Sequence, residues 1–251
     1  MSEKLYHIGL SKEDIEGAKY AILPGDPGRV PKIAQLLENS KALTQNREYN
    51  SFLGELDGEK VVVISHGIGG PSTAICVEEL HVLGIENFIR IGTCGGMNLE
   101  VLAGDVVVVN GAIRAEGTSR EYLPIEFPAV ANIDATCALR DAAKSLGFRY
   151  HIGIAQCKDS FYGQHDPERM PVSYELPNKW QAWIKGGALC SEMETAALFT
   201  VCSVLGARAG AVMLCVWNQE RAAAGLPVEN CHDTQKAIRV AVEGVRNLIK
   251  G

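Results

Sequence analysis

The sequence contains no long apolar run. No uncharged segment is long enough to cross a bilayer, and the N-terminal MSEKLYHIGL lacks the apolar stretch of a signal peptide. Basic residues are not in excess either, since 24 Lys and Arg against 30 Asp and Glu give a net charge of −6. An acidic folded chain has no general attraction for nucleic acid or for an anionic membrane. We therefore expect a cytoplasmic protein that binds neither.

Several chemical motifs are also missing. None of the eight cysteines forms a C-x-x-C pair, so we interpret them as reduced, mostly buried thiols. There is no H-E-x-x-H pattern and no Cys/His cluster, so the sequence predicts no catalytic metal. A Walker A pattern and a G-x-G-x-x-G fingerprint are absent, which disfavours a nucleoside triphosphate or a dinucleotide.

What is present is an alternation of short apolar runs and helical patterns over 251 residues. The apolar runs predict buried strands at Tyr20–Leu23, Val61–Ser65, Phe88–Ile91, Val106–Val109, Ile152–Ala155 and Ala211–Val216. Helical spacing predicts helices at Ser72–Leu83, Ala131–Leu146, Ser191–Leu205 and Thr234–Ile249. This alternation is typical of an α/β fold. We expect one domain over residues 1–251, with a mixed, largely parallel central sheet flanked by helices.

The segment at about residues 160–187 differs from the rest. It contains Pro167, Pro171 and Pro177, and few of its apolar residues are periodic. Because proline breaks helices and central strands, we expect a long surface segment. A long loop in a compact domain is often functional, so this segment is either a flap over a site or a variable surface excursion.

Three strand-to-helix turns are rich in glycine, at residues 24–29, 67–72 and 92–96. Such turns let backbone N–H groups approach an anion at the carboxyl edge of an α/β sheet. Arg90 lies inside an otherwise apolar strand, where a guanidinium is costly unless it is paired. Arg90 therefore belongs either to a buried ion pair or to a phosphate site, which a guanidinium grips with two parallel bonds.

Four ordered motifs then resemble the nucleoside phosphorylase family, which includes purine nucleoside and uridine phosphorylases. They are Pro24–Arg29, Ser65–Leu80, Arg90–Thr93 and Glu192–Glu194, and they span nearly the whole chain. The resemblance implies cleavage of an N-glycosidic bond by inorganic phosphate, which is a co-substrate, with no cofactor. It also implies a homo-oligomer, a hexamer built of dimers.

The family's phosphate ligands map onto this sequence one by one. The resemblance implies that Gly25 and Arg29 of the first turn bind phosphate, together with Arg90 and Thr93 at the third strand. A further arginine of the family comes from the neighbouring subunit, and Arg47 stands at the matching place. Without the resemblance, Arg47 would be interpreted as an ordinary surface residue.

The ribose contacts map in the same way. The resemblance implies that His7 crosses the subunit boundary to the ribose 5′-hydroxyl, and that Met193 and Glu194 bind the ribose. Glu192 and Glu194 stand two apart, so on a helix they would not share a face. If the helix has begun there, at most one of them reaches the sugar, and the other caps the helix or pairs with a cation.

The base contacts favour uridine. Phe161 and Gln164 match the residues that stack on uracil and hydrogen-bond its edge in the uridine enzymes. The purine enzymes carry an aspartate after the last core strand, and the corresponding residue here is Asn218, whose amide is a poor proton donor.

One departure concerns the uracil carbonyl. Uridine enzymes place an arginine two residues after the glutamine, but this sequence has Asp166 there. Arg169, His165 and Lys158 are the candidates to replace it. A protonated His165 would be a pH-dependent donor near neutral pH.

The expected reaction is the reversible phosphorolysis of uridine to uracil and ribose 1-phosphate, in pyrimidine nucleoside salvage. Three alternatives stay open: a purine nucleoside phosphorylase, a nucleoside hydrolase of the same fold, and a catalytically silent protein that binds or stores nucleosides. The complete set of phosphate arginines argues against the last two. In some relatives a monovalent cation lies near residues that match Glu48, Ile68 and Ser72, so the resemblance implies such a site without a catalytic metal.

Overall fold

A computed structural model describes residues 3–251 as a ten-stranded sheet with helices on both faces. The strands are β1 Tyr20–Pro24, β2 Glu38–Asn46, β3 Tyr49–Leu56, β4 Glu59–Ile64, β5 Asn87–Gly96, β6 Val106–Ala115, β7 Ala129–Val130, β8 Tyr150–Lys158, β9 Cys190–Glu192 and β10 Arg208–Asn218. The helices are α1 Val30–Ala34, α2 Gly70–Leu83, α3 Thr118–Tyr122, α4 Ile133–Ser145, α5 Phe161–His165, α6 Leu176–Lys185, α7 Thr195–Leu205, α8 Gln219–Ala223 and α9 Gln235–Lys250.

The sheet is mixed and partly closed. Its strand order is β10-β6-β8-β9-β5-β1-β4-β3-β2, and β10 also pairs with β5, so β5, β10, β6, β8 and β9 form a ring. Among the six strands that the sequence predicts, the β10–β6 pairing is antiparallel and the other four pairings are parallel. The predicted α/β fold, with a mixed central sheet flanked by helices, is confirmed.

Helices cover both faces of the sheet, which explains why the central strands are apolar without alternation. On β5, the neighbouring residues Phe88 and Ile89 point to opposite faces, as successive residues of a strand do. Phe88 packs in the cluster that contains Val77 of α2, and Ile89 packs in the cluster that contains Leu139 of α4 and Val245 of α9. All five side chains are at most 1% exposed. Burial on both faces leaves the carboxyl ends of the strands as the place where polar groups meet.

The predicted helices agree with the structure to within two residues, except at the start of one. The helix predicted at Ser191–Leu205 begins at Thr195, because Cys190–Glu192 forms β9 instead. The Glu192 carboxylate accepts hydrogen bonds from the N–H groups of Glu194 and Thr195, at 2.9 Å and 3.0 Å, and so satisfies the free donors of the helix start.

The antiparallel hairpin of β2 and β3 is absent from the sequence prediction. Six of the nine β2 residues are exposed and the other three are half-buried, so the strand has no buried residue. A strand at the edge of a sheet gives no apolar alternation to detect.

The segment at residues 160–187 contains two helices, α5 and α6, where the sequence predicts no regular structure. Pro177 does not prevent α6, because it lies in the first turn, where a missing N–H costs no hydrogen bond. Trp180 of α6 donates its indole N–H to Glu220 at 2.7 Å, which ties this helix to α8. Within residues 3–251, every helix falls short of the length and apolar character that a membrane span requires.

Candidate active site

A cavity of about 800 Å³ opens where the carboxyl ends of β1, β4, β5 and β9 meet. Nine of the predicted phosphate, ribose and base residues line it, namely Gly25, Arg29, Arg90, Thr93, Phe161, Gln164, His165, Met193 and Glu194. Two of the three predicted cation-site residues, Glu48 and Ile68, line it as well. The predicted residues outside this lining are His7, Arg47, Ser72 and Arg169.

Arg90 lies at the buried end of this cavity and is 3% exposed. Its Nη2 lies 3.1 Å from Glu192 Oε2 and 2.5 Å from Glu194 Oε2, and its Nη1 lies 2.7 Å from His66 Nε2. Burial alone would lower the pKa of Arg90, but the carboxylates of Glu194 and Glu192 raise it overall. The two alternatives for Arg90 therefore coincide, because the guanidinium is ion-paired and also faces the cavity.

Glu192 and Glu194 both reach that guanidinium because the chain between them is not helical. Glu192 ends β9, and Glu194 precedes the first residue of α7. The Glu194 carboxylate also accepts the Gly69 N–H at 2.7 Å. Burial raises the pKa of Glu194, and Arg90 opposes that shift while Glu192 adds to it. Glu192 thus caps α7 and holds Arg90, whereas Glu194 presents an oxygen to the cavity.

The first and second glycine turns approach each other closely at the cavity wall. A Cβ on Gly25 would lie 3.1 Å from the carbonyl oxygen of Gly67, so a larger residue would push the two turns apart. Gly67 has φ +74°, and a Cβ there would lie 2.7 Å from Glu48 Cγ. Arg29 lies beside this wall and is salt-bridged to Asp26 at 3.8 Å, and burial lowers its pKa. Small residues here let two backbone turns and two arginines, Arg29 and Arg90, share one cavity.

The opposite end of the cavity carries a polar network. Lys158 Nζ donates to Ser191 Oγ at 2.6 Å, and that hydroxyl lies 2.7 Å from Gln164 Oε1. The Gln164 amide donates to Gln219 at 2.9 Å. Phe161, half exposed at 51%, lies beside this network at the cavity mouth. An aromatic face next to an amide and an ammonium suits a flat ring with carbonyl groups.

The three candidates for the carbonyl donor differ in position. Arg169 is salt-bridged to Asp166 at 3.2 Å and stacks on Tyr162 outside the cavity, with 57% of its side chain exposed. His165 lines the cavity, but burial and the nearby Lys158 lower its pKa, so it is neutral near pH 7. Lys158 is 8% exposed and lines the cavity, and burial lowers the pKa of its ammonium. Of the three, Lys158 is the buried basic residue that lines the cavity in the network with Gln164.

A second cavity, of about 970 Å³, lies on the other side of Lys158 and Gln164. It is larger, but none of the predicted phosphate or ribose residues lines it. Arg90 and Glu194, which the sequence predicts to bind phosphate and ribose, line the smaller cavity instead.

His7 and Arg47 lie together on a different part of the surface. His7 Nδ1 lies 2.6 Å from Glu79, and Arg47, at the turn between β2 and β3, stacks on Tyr6 at 5.4 Å. Tyr6 is 73% exposed. Neither His7 nor Arg47 lines the cavity of its own chain.

The predicted cation site is a small oxygen cluster beside the cavity. Ser72 donates its hydroxyl to Glu48 at 2.6 Å, and this bond lowers the pKa of Glu48. Ile68 is 79% exposed next to it. Within residues 3–251, no group of three or more His, Cys, Asp or Glu side chains is arranged to hold a metal ion.

Asn218 has a structural role. Its amide donates to the carbonyl oxygens of Asn98 and Val101, both at 2.8 Å, and its carbonyl accepts from the N–H groups of Glu220 and Arg221. Both amide hydrogens and the carbonyl oxygen of Asn218 are therefore engaged, and these four hydrogen bonds hold α8 at the end of β10. It is 1% exposed and does not line the cavity.

Sequence reasoning missed two residues of the site. Ser191 of β9, which links Lys158 to Gln164, gave no signal, because a serine at the start of a predicted helix is common. His66, which contacts Arg90, did carry one: it directly follows the apolar strand β4, where a polar side chain needs a partner.

Comparison with known proteins agrees with this geometry. The sequence model of the phosphorylase superfamily matches residues 19–249. The chain is 55% identical over 244 residues to a uridine phosphorylase of Treponema pallidum, which covers 97% of this chain and 94% of the relative. It is 42% identical over 250 residues to the uridine phosphorylase of Escherichia coli, covering 98% of both chains. A guanosine phosphorylase of Halorubrum lacusprofundi is 37% identical over 249 residues, covering 96% of this chain and 98% of the relative. The chain therefore belongs to the phosphorylase superfamily.

Proposed function

We propose that this protein catalyses the reversible phosphorolysis of uridine to uracil and ribose 1-phosphate. The observation that carries the proposal is the single cavity with two chemically different ends. Arg29 and Arg90 supply positive charge at one end, and Phe161, Gln164 and Lys158 form a polar, aromatic site at the other. The uridine phosphorylases at 55% and 42% identity over nearly the full chain support uridine as the nucleoside.

In this proposal the two substrates occupy the two ends. Phosphate binds Gly25, Arg29, Arg90 and Thr93, which all line the cavity. Ribose lies between phosphate and base, with Glu194 accepting from its 2′- and 3′-hydroxyls.

Met193 packs against the ribose, since it too lines the cavity between the two ends. Uracil stacks on Phe161 and pairs with the Gln164 amide. Residues 160–187 then act as the flap of a single domain, because α5 brings both base ligands to the cavity mouth.

The chemistry follows from charge development. A phosphate oxygen attacks C1′ as the bond from C1′ to N1 of the base breaks, and the bonding electron pair leaves with the uracil. Positive charge grows on the ribose, where the phosphate dianion stabilises it, and negative charge grows on the uracil carbonyl. Lys158 donates to that carbonyl, and a donor aimed at developing charge is worth most in a buried site. Inorganic phosphate is the co-substrate, and no cofactor is required.

We also propose that the active unit is a dimer at least, and that the assembly is a homohexamer built of dimers. His7 and Arg47 lie outside their own cavity, and in a dimer they would complete the ribose and phosphate sites of the partner. A monovalent cation bound near Glu48, Ile68 and Ser72 would then lie at that interface. The setting we propose is pyrimidine nucleoside salvage in the cytoplasm.

A purine nucleoside is the second candidate, because a guanosine phosphorylase is 37% identical over nearly the full chain. Against it, Asn218 stands where the purine enzymes carry their aspartate, and its amide and carbonyl are already used in four hydrogen bonds. This residue cannot protonate a purine ring.

The test is release of free base from uridine and from inosine, each with and without added phosphate. We expect phosphate-dependent release of uracil and little hypoxanthine. Dominant hypoxanthine release would assign the protein to the purine enzymes. Uracil release at equal rates without phosphate would instead indicate a hydrolase and remove the proposed role of the arginines.

A further inference from the structure

His66 is a fully buried residue that contacts the site without lining the cavity. It lies between β4 and α2 and is 0% exposed. Its Nε2 lies 2.7 Å from Arg90 Nη1, and its Nδ1 lies 3.0 Å from Thr73 Oγ1. A buried imidazole with a partner on each nitrogen has a fixed orientation.

The chemistry of the partners fixes the ring's protonation. A guanidinium carries donors and no acceptor, so His66 Nε2 must offer its lone pair to Arg90. The ring proton is then on Nδ1, which donates to Thr73 Oγ1. Burial lowers the pKa of His66 well below its usual value, and the positive charges of Arg90 and Arg29 lower it further. The ring is therefore neutral.

From Thr73 the hydrogen bonds return to the site. The Thr73 hydroxyl donates to the carbonyl oxygen of Gly69 at 3.0 Å, and the Gly69 N–H donates to Glu194 at 2.7 Å. Since Glu194 also accepts from Arg90, these five residues form a closed ring of hydrogen bonds. The ring joins the phosphate end of the cavity to the ribose acceptor.

The donors of Arg90 can be counted. A guanidinium has five N–H groups. Within residues 3–251, Nε and one Nη2 hydrogen point to Glu192, the other Nη2 hydrogen points to Glu194, and one Nη1 hydrogen points to His66. The second Nη1 hydrogen remains for a ligand. Its direction follows from the orientation of the planar guanidinium, which the contact between Nη1 and His66 helps to hold.

We propose that His66 is a positioning residue, which holds Arg90 Nη1 so that its remaining N–H faces the bound phosphate. This inference rests on the proposed function, because it assigns phosphate to Arg90. His66 itself touches neither substrate. Its loss should therefore weaken phosphate binding through Arg90 and leave the base end unchanged.

Two substitutions separate the two contacts. The carbonyl oxygen of glutamine in His66→Gln can occupy the place of Nε2 and keep an acceptor for Arg90. The amide of asparagine in His66→Asn can occupy the place of Nδ1 and keep a donor for Thr73, but it leaves Arg90 Nη1 without its acceptor. Both variants are polar, so a general effect of replacing the imidazole would appear equally in both.

The kinetic readout is the KM for phosphate, the KM for uridine and kcat. We expect His66→Asn to raise the KM for phosphate by about tenfold or more, the loss typical of a hydrogen bond to a charged group. The KM for uridine should change less than twofold, and His66→Gln should stay close to the wild type. The substitutions His151→Gln and His151→Asn are the matched controls, because His151 contacts Asp105 at the start of β8 and does not line the cavity. They should leave all three constants unchanged. Equal phosphate KM values in the two His66 variants, or a loss confined to the KM for uridine, would overturn the proposal.

A second measurement uses the wild-type protein and so does not depend on how the variants fold. Nitrogen-15 NMR of labelled histidine should show His66 neutral at pH 7, with its proton on Nδ1. A proton on Nε2, or a cationic ring, would place a donor against Arg90 and overturn the proposal. The two inferences can therefore fail separately. Phosphate-independent release of base would refute the proposed function, whereas the protonation of His66 would still test its contact with Arg90.

Discussion

Replacing Arg90 by methionine tests the buried cation of the site. The substitution keeps an unbranched side chain of similar length but removes the guanidinium that hydrogen-bonds both Glu192 and Glu194. The two glutamate side chains are 1% and 8% exposed, so their carboxylates would face each other with little water. We expect Arg90→Met to lose most phosphorolysis and also to lower the free energy of unfolding.

The size of that loss follows from the burial. Removing one partner of a buried ion pair costs about 3–5 kcal/mol, because the remaining charge is left uncompensated. We expect the free energy of unfolding to fall by about 3 kcal/mol, since Glu194 lines an open cavity and can recruit water there. Burial raises the pKa of Glu194 and Arg90 opposes that shift, so without Arg90 the pKa of Glu194 rises further above its unfolded value and folding takes up a proton. The deficit is then largest at neutral and alkaline pH and shrinks as the pH falls towards the unfolded pKa.

The assay is urea unfolding at one fixed protein concentration, at about pH 5 and about pH 8, alongside phosphorolysis of uridine. Arg140→Met is the matched control, because it removes an arginine that pairs with Asp141 at the surface of α4, outside the cavity. That control should change the unfolding free energy by less than about 0.5 kcal/mol, as exposed substitutions usually do. A deficit under about 1 kcal/mol for Arg90→Met, or the same deficit at both pH values, would refute the account of Arg90 as the counterion of two buried carboxylates.

Three further predictions concern the base end and the subunit boundary. Gln164→Ala should raise the KM for uridine about tenfold with little change in the KM for phosphate, and a loss confined to phosphate would contradict its role at the base. Lys158→Met should lower kcat/KM for uridine about a hundredfold. Because burial lowers the pKa of Lys158 and the ammonium is lost as the pH rises, we expect the activity of the wild type to fall below the usual lysine pKa, and this alkaline loss should be absent from Lys158→Met. Mixed oligomers of Arg47→Ala and Glu194→Gln subunits should regain activity, since one site of each mixed dimer keeps both residues; no recovery on mixing would mean that Arg47 does not act in the partner.

The elements that the sequence predicts are those whose apolar residues form a recognisable pattern. Strands β1, β4, β5, β6 and β10 each contain a run buried on both faces, which appears as a continuous apolar run, whereas β8 is fully buried only from Ala155 to Lys158. Strand β2 is exposed and gives no such run, so the hairpin that carries Arg47 was missed. Helix α6 is absent from the prediction for another reason. Proline usually breaks a helix, but Pro177 lies in the first turn of α6, where it is tolerated.

The site residues divide in the same way. Some are predicted from the local sequence pattern, and others depend on contacts between elements that are distant in the sequence. Arg90 was detectable because a guanidinium in an apolar strand needs a partner, but the identity of that partner depends on which elements meet at the cavity. Glu192 and Glu194 illustrate the difference. Their spacing of two would separate them on a helix, and they converge on Arg90 because β9 ends at Glu192 and α7 begins after Glu194.

The donor to the uracil carbonyl cannot be chosen from residue types alone. The sequence left three candidates for the carbonyl donor, and their chemical types alone could not separate them, since all three can be cationic. Burial and partners do separate them: Arg169 is bound to Asp166 at the surface, His165 is held neutral, and Lys158 is buried beside Gln164. Lys158 lies at the end of β8, before the segment in which uridine enzymes place their arginine. If Lys158 is the donor to uracil, as we propose, the end of a sheet strand holds it rather than residues 160–187, so its position depends less on the conformation of that segment.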